Sequence, residues 1–367
     1  MTAGIIDKIE RRIRLEGPLT VAAYMAMALH DPVSGYYVTR GPIGAAGDFM
    51  TAPEISQIFG ELIGLWCADL WQQIGRPDPL ILAELGPGRG ALMSDFLRAA
   101  SAVPEFRRAL RIHLVEASPI LRAEQEHRLG EAQPRWVKGV DELPDGTIIV
   151  IANEFLDALP IRQFVRGDAY WRERMVALDC DGALAFVDGP ESRAATLLVP
   201  ASLRDSPPGA IAEICPAALA LASSLGARFA RQVGVALFID YGHFASAAGA
   251  TLRAVSQHRA VSALAPPGST DLSADVDFDA FAEAARAGGA TVYGPVTQAG
   301  FFTALGAELR LAQLSARAAP KQRQELAGGV KRLLHRDEMG ERFKVMALAS
   351  PGPATPAGFA PMSAAEP

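Results

Sequence analysis

The chain predicts an α/β fold: a sheet of parallel strands covered by helices on both faces, preceded by a helical extension and interrupted by an inserted β-meander. Three observations carry this. The apolar run Leu80–Leu85 contains Glu84, then breaks into glycines at 86, 88 and 90, and a helix-compatible stretch follows from Ala91 to Ala100. From there strand and helix patterns alternate, with strands expected at 80–85, 111–115, 135–137, 147–152 and 234–239 and helical stretches at 91–100 and 118–129. Such alternation gives parallel strands joined by right-handed crossovers. Between the fourth and fifth strands the pattern changes to short alternating runs at 163–165, 169–178 and 183–187, turning at Gly167-Asp168 and Asp179–Gly182, which predicts the meander.

Taken in order, Met1 to Arg14 is charged with isoleucines at 5, 6, 9 and 13, the spacing of an amphipathic helix. It lacks a signal peptide's apolar core, and Asp7 and Glu10 are out of place in a transit peptide. Residues 20–29 predict a short apolar helix closed by the turn at 30–35. A Gly-rich segment, 41–48, leads to Thr51-Ala52-Pro53-Glu54, which has capping-box spacing before a long helix through Trp71. Residues 1–75 therefore form an N-terminal helical extension. Residues 76–349 form the core, with its insertion at about 161–215. Pro207-Pro208-Gly209 ends the meander, and a helix from about Cys215 to Gln232 returns to the sheet. A loop-rich region runs from Asp240 to Asp275. A helix at 277–287, a strand near 291–293, helices over roughly 300–335 and a strand at 343–349 complete the core. The Pro/Ala-rich tail, 350–367, predicts disorder.

The chain has 367 residues, half of them apolar, with net charge −6. This suits one elaborated domain or a domain with a large insertion. Mild acidity argues against a nucleic-acid partner, which requires basic surface. No apolar run reaches membrane-spanning length. Cys67, Cys180 and Cys215 show no C-x-x-C spacing, so neither a disulfide framework nor a metal site is expected. These features together predict a cytoplasmic protein.

The glycine turn at 86–90 follows a buried strand and opens a helix, the place where a backbone approaches a cofactor. Two chemistries share that geometry. A nicotinamide cofactor wants G-x-G-x-x-G and an acid about 20 residues further on, as in an NAD-dependent oxidoreductase. Here the third glycine comes one residue early, Pro87 lies inside the turn, and the acid is Glu116. An acid two residues before the first glycine, E-x-G-P-G-x-G, instead matches S-adenosylmethionine (SAM)-dependent methyltransferases, which place no pyrophosphate on the helix. Glu84 then lies near the amino-acid end of the cofactor, and Glu116, with Ala117 and Ser118 after it, near the ribose.

Several segments resemble the MidA-like family, relatives of the mitochondrial complex I assembly-factor methyltransferase. They are Asp31-Pro32 with Gly35-Tyr36-Tyr37, the run from Gly47 through Asp48, Phe49 and Thr51 to Gln57, Phe59-Gly60-Glu61, and the turn from Glu84 to Gly90. Asn153-Glu154-Phe155-Leu156-Asp157-Ala158-Leu159-Pro160, Asp240-Tyr241-Gly242-His243 and Asp271–Phe278 complete the set. They occur in family order from about residue 15 to 347. Leu156 and Ser273 depart from the family's commoner residues, an aromatic and a threonine.

The resemblance implies a class I SAM-dependent methyltransferase (Rossmann-like) fold and protein-arginine N-methylation of a respiratory complex I subunit or similar client. A noncatalytic SAM-binding assembly factor is the alternative from another class. Cofactor-binding candidates are Glu84, Gly86, Pro87, Gly88, Gly90, Glu116, Ala117, Ser118, Gly139 and Val140, with Asp48 and Phe49 as lid residues. Catalytic candidates are Glu154, Asp157 and Asn153, which follow the fourth strand. An arginine acceptor stays protonated in water, so a carboxylate must grip its guanidinium fork and take or relay a proton. Thr51 and Glu54 are expected to cap a helix; Asp240 and His243 end the fifth strand, where either can face the substrate, with a structural role expected for His243.

Overall fold

A computed structural model describes residues 4–39, 50–256, 258–352 and 355–359. The central strands are β1 (Leu80–Leu85), β2 (Leu110–Val115), β3 (Arg135–Val137), β4 (Ile148–Asn153), β5 (Gly234–His243), β6 (Thr291–Thr297) and β7 (Phe343–Ala349). Their order across the sheet is β3-β2-β1-β4-β5-β7-β6. Pairing is parallel from β3 through β5, while β7 runs antiparallel between β5 and β6. Every residue of β1 and β4 is buried, as a strand covered on both faces requires. The order reverses between β1 and β4, and such a switch point opens a crevice at the carboxyl ends of the strands.

One face of the sheet is covered by α1 (Gln57–Gln73) and α2 (Ala91–Ala100), together with the helices of 298–334. After α3 (Pro119–Leu129), the helices α4 (Pro216–Phe229) and α5 (Phe278–Gly288) cover the other face around Phe229, Phe238 and Phe281. The α1–α2 contact depends on glycine. A Cβ on Gly60 would stand 2.8 Å from the Leu92 carbonyl oxygen, and one on Gly64 2.8 Å from that of Phe96. These glycines lie four apart on one helical face, so α1 can press its backbone against α2 and fix the helix that follows the glycine turn.

The expected meander is present as the strands Arg162–Arg166, Trp171–Leu178 and Leu184–Asp188. Ile211–Ile214 adds to the Arg162–Arg166 edge, and Leu19–Thr20 from the N-terminal region pairs with the middle strand at Met175 and Val176. Helices Ile5–Glu16 and Val21–His30 pack Ile9, Tyr24 and Leu29 with Val176, Ala254 and Leu272. The extension therefore shares a core with the insertion.

Three local expectations need correction. The capping box at Thr51 does not form: Thr51 precedes a four-residue helix without capping it through its side chain, and Ser56 caps α1 instead, accepting from the Ile58 N–H. The region from 240 to 275 contains a three-stranded sheet, Arg253–Ser256, Arg259–Val261 and Asp271–Ser273. Part of the tail is placed, because Phe359 is buried against Phe301 and the Ala357 carbonyl accepts from the Trp66 indole. One aromatic ring outweighs the surrounding Pro/Ala composition. Among the described residues no helix is long and apolar enough to cross a membrane.

Replacing Gly64 by leucine forces α1 off α2. Overpacking of this kind costs about 1–3 kcal/mol, so the urea midpoint should fall for Gly64→Leu and much less for Leu65→Ala on the exposed side of α1.

Candidate active site

A cavity of about 330 Å³ lies at the carboxyl ends of β1, β2 and β4. Its floor is the glycine turn. Gly86, Gly88 and Gly90 have φ of 62°, 53° and 76°, the left-handed region that costs side-chain-bearing residues energy. At Gly86 a Cβ would also meet the Phe155 ring at 2.9 Å. Gly86, Pro87 and Gly88 line the cavity. Gly90 does not: it starts α2, and a Cβ there would stand 3.1 Å from Leu129. Its role is to let α3 pack close.

Two carboxylates border this floor. Glu84 is 3 % exposed, and its Oε2 has no hydrogen-bond partner among the described residues. Burial, then the nearby Glu116 charge, pushes its carboxyl up to about 8. Glu116 ends β2. Its Oε1 accepts from the Ser118 N–H at 2.7 Å and its Oε2 from Gln125 Nε2 at 3.3 Å. Burial raises its carboxyl, and these donors oppose the rise. Ala117, Ser118, Gly139 and Val140 continue the wall past β2 and β3.

Gln125 escaped the sequence reading. It is wholly buried on α3, donates to the Gly88 carbonyl at 2.6 Å and accepts from the Trp136 indole at 2.8 Å. It therefore ties the glycine turn to Glu116. Its place on the inner face of a helix after a capped strand–helix turn was its only sequence signal.

The opposite wall follows β4. Asn153 and Glu154 line the cavity, and the Asn153 Oδ1 is buried without a partner among the described residues. Glu154 has φ of 49°, uncommon for any residue but glycine. Its Oε1 accepts from the Ala52 N–H at 3.0 Å and from Asn153 Nδ2 at 3.2 Å. Burial chiefly, with Asp157 and Asp271 nearby, lifts its carboxyl to about 7. Asp157 does not line the cavity; it lies beneath and accepts from the Tyr241 hydroxyl. Burial raises its carboxyl too.

Asp240, expected near the substrate, is 1 % exposed and faces inward. Its Oδ2 accepts from the N–H groups of Phe155, Leu156 and Asp157 at 3.1, 2.9 and 3.2 Å, clamping the turn behind Glu154. His30 and Tyr37 close the cavity from the N-terminal side, stacked with ring centroids 5.6 Å apart. The Tyr37 hydroxyl donates to Asp271 at 2.9 Å. Asp48 and Phe49 lie outside the described residues. Among the described residues no group of His, Cys, Asp or Glu is arranged to hold a metal ion.

The site thus combines a floor stripped of side chains with carboxylates whose burial is only partly compensated. It favours a ligand that brings positive charge and hydroxyl or ammonium donors.

Comparison with known proteins agrees. Residues 62–296 match the profile of a family described as "Putative S-adenosyl-L-methionine-dependent methyltransferase". The mitochondrial protein arginine methyltransferase NDUFAF7 of Danio rerio is 36% identical over 94% of this chain and 86% of its own length. Its Homo sapiens counterpart is 35% identical over 92% and 81%. A crystal structure of a Burkholderia thailandensis protein bound to S-adenosyl-homocysteine has a TM-score of 0.83 and 30% identity, covering 96% of this chain and 93% of that one. The chain belongs to this family of SAM-dependent methyltransferases, and the nicotinamide alternative falls away. The cytoplasmic expectation is also overturned, since these NDUFAF7 relatives are named as mitochondrial. Acids in the first helix were an insufficient ground for it.

Glu84 makes stability depend on pH. In the unfolded chain its carboxyl ionises near 4.5, whereas the fold holds the proton to about 8. The unfolded state therefore sheds a proton first, and this contribution falls as pH rises across that window. Thermal unfolding of the ligand-free protein should show Glu84→Gln matching wild type near pH 4 and melting higher than wild type near pH 8.

Proposed function

We propose that this methyltransferase modifies an arginine side chain of a protein client, and that Glu154 is the carboxylate that receives the guanidinium. The observation that carries the reading is Glu154 itself. It is a carboxylate bordering the cavity at the end of β4, backed by Asp157 and Asp271, with no cation paired to it among the described residues. A guanidinium is the side chain that stays positive under all working conditions and offers a planar fork of donors. The naming of the relatives as protein arginine methyltransferases supports the same acceptor, and the family resemblance makes a respiratory complex I subunit the first client to test.

The cofactor residues fit SAM on their own chemistry. The orphan Oε2 of Glu84 suits the α-ammonium, and the Glu116 carboxylate suits the two ribose hydroxyls. Gly86 and Gly88 leave the floor without a Cβ where the ligand passes, and Gly139 and Val140 offer an adenine wall. When bound, SAM supplies a methyl group on positively charged sulfur, open to in-line displacement.

The chain's own tasks are alignment, exclusion of water and management of a proton. Glu154 holds the guanidinium by charge-assisted hydrogen bonds and takes a proton from the attacking nitrogen as that nitrogen becomes acidic. Asn153 steadies Glu154 through its amide. Asp157 lies behind and strengthens the negative potential.

Two outcomes test this. Gly88→Val places a β-branched residue at φ 53° on the cofactor floor. SAM affinity by calorimetry should fall more than about 100-fold while the far-ultraviolet circular dichroism is retained; undiminished affinity refutes the floor assignment. For wild type, kcat/KM on an arginine acceptor should rise with pH through about 7, because only the ionised Glu154 grips and accepts a proton. Glu154→Gln should lower kcat/KM by roughly 10²-fold or more and abolish that pH step, with SAM affinity little changed.

A further inference from the structure

The charge at the strand ends changes sign between β4 and β7. Past β4 stand Glu154 and Asp157. Around the end of β5 and the start of β7 stand His243, Arg253, Arg342 and Lys344, grouped about Tyr241 and Asp275. The guanidinium carbons of Arg253 and Arg342 lie 4.7 and 5.2 Å from the Tyr241 ring centroid. Among the described residues they share one carboxylate, Asp275, which pairs with Arg253, with Arg342 at 3.9 Å and with His243 Nε2 at 3.8 Å. Lys344 is 6 % exposed and donates to the main-chain carbonyls of Glu341 and Arg342, not to a carboxylate. The Arg253 Nε is buried without a partner among the described residues. Of the other acids nearby, Asp277 accepts from Ser246 and from the Ala280 N–H, and Glu341 pairs with Arg336 and faces Lys344. Glu213 and Asp157 face Arg253 while accepting from the Thr251 N–H and the Tyr241 hydroxyl, respectively.

Arg342 is held to Asp275 only at 3.9 Å, with its side chain 54% exposed, so its guanidinium keeps donors free for a ligand. The buried Arg253 Nε has lost water without gaining a partner among the described residues, a costly arrangement for a cluster serving stability alone. Tyr241 divides the two fields. Its hydroxyl donates to Asp157 on the acidic side, and its ring carries the guanidiniums on the basic side.

We propose that this basic rim is a subsite for an acidic residue of the protein client, a glutamate or aspartate carboxylate bridging Arg253 and Arg342. The proposal rests on the reading of a protein client whose acceptor side chain enters at Glu154. Adjacent strands are about 4.8 Å apart, and Arg342 immediately precedes β7, two strands from β4. The rim therefore stands roughly 10 Å from the end of β4, the reach of about three extended residues. An acid two or three residues from the acceptor can occupy the rim while the acceptor meets Glu154. A basic residue at the same place is repelled, so the rim selects by exclusion as well as by attraction.

Nonapeptides with a central arginine or glutamine, each with glutamate or glutamine fixed at one flanking position, provide the test. Their retention on the immobilised full-length protein is measured with S-adenosyl-homocysteine present. Glutamate at the second or third position on one side should raise retention about five-fold, the size of a partly exposed ion pair. It should do so with either central residue, and Arg342→Glu should remove the preference or turn it toward lysine. Equal retention of glutamate and glutamine peptides at every position overturns the proposal, as does a glutamate preference that survives in Arg342→Glu. The centre is read separately: a flank preference without any advantage for central arginine keeps the rim and refutes the arginine acceptor.

Discussion

The burial of carboxyl groups at the carboxyl ends of β1, β2, β4 and β5 is the constraint around which the structure is arranged. Glu84, Glu116, Glu154, Asp157 and Asp240 all sit where burial raises the carboxyl above its ordinary range. Taking such groups out of water costs several kcal/mol each unless donors replace the lost water. The fold supplies those donors mostly as backbone N–H groups. Asp240 receives four, Glu116 receives that of Ser118 and Glu154 that of Ala52. Among the described residues the Glu84 Oε2, the Asn153 Oδ1 and the Asp157 Oδ1 remain unsatisfied; the first two belong to residues that border the cavity, and Asp157 lies beneath it.

The Asp240 clamp matters beyond its own carboxylate. Glu154 is held in the left-handed region, a conformation that persists only where the surroundings over-determine it. Three N–H groups converging on one Asp240 oxygen fix the turn from its far side. The Ala52 N–H fixes the Glu154 side chain from the near side. The segment before α1 is thereby coupled to the turn after β4, about a hundred residues later in the chain. A closing movement of the first would register directly on the second.

Sequence alone disclosed the parts whose causes are local. β1 and α2 fall on the expected residues, because an apolar run, three glycines and a helix former each act within a few positions. The meander and β4 lie within a residue or two of expectation for the same reason. The parts it withheld have distant causes. β7 follows a run of helices, so nothing near it announces that it runs antiparallel between β5 and β6. Leu19–Thr20 is a strand only because Met175 and Val176 are beside it. Asp240 shows an acid at a strand end, the usual sign of a substrate contact, yet its partners lie more than 80 residues earlier. In sequence Asp157 stands three residues after Glu154 as a second catalytic candidate. The turn they share points one toward the cavity and the other beneath it, and only the clamp decides which.

The unequal fate of those two carboxylates bears on the chemistry. Methyl transfer from a sulfonium to a guanidinium begins with two positive charges in the cleft and ends with one on the product and one proton to discard. A carboxylate of ordinary acidity would grip the guanidinium but hold that proton poorly. One raised far higher would arrive already protonated and grip nothing. Glu154, lifted to about 7, lies between these limits, where a proton acceptor works best near neutral pH. Its elevation comes from burial beside Asp157 and Asp271, so the arrangement that weakens the empty fold there is the one that, in the proposed role, prepares it for a cationic acceptor.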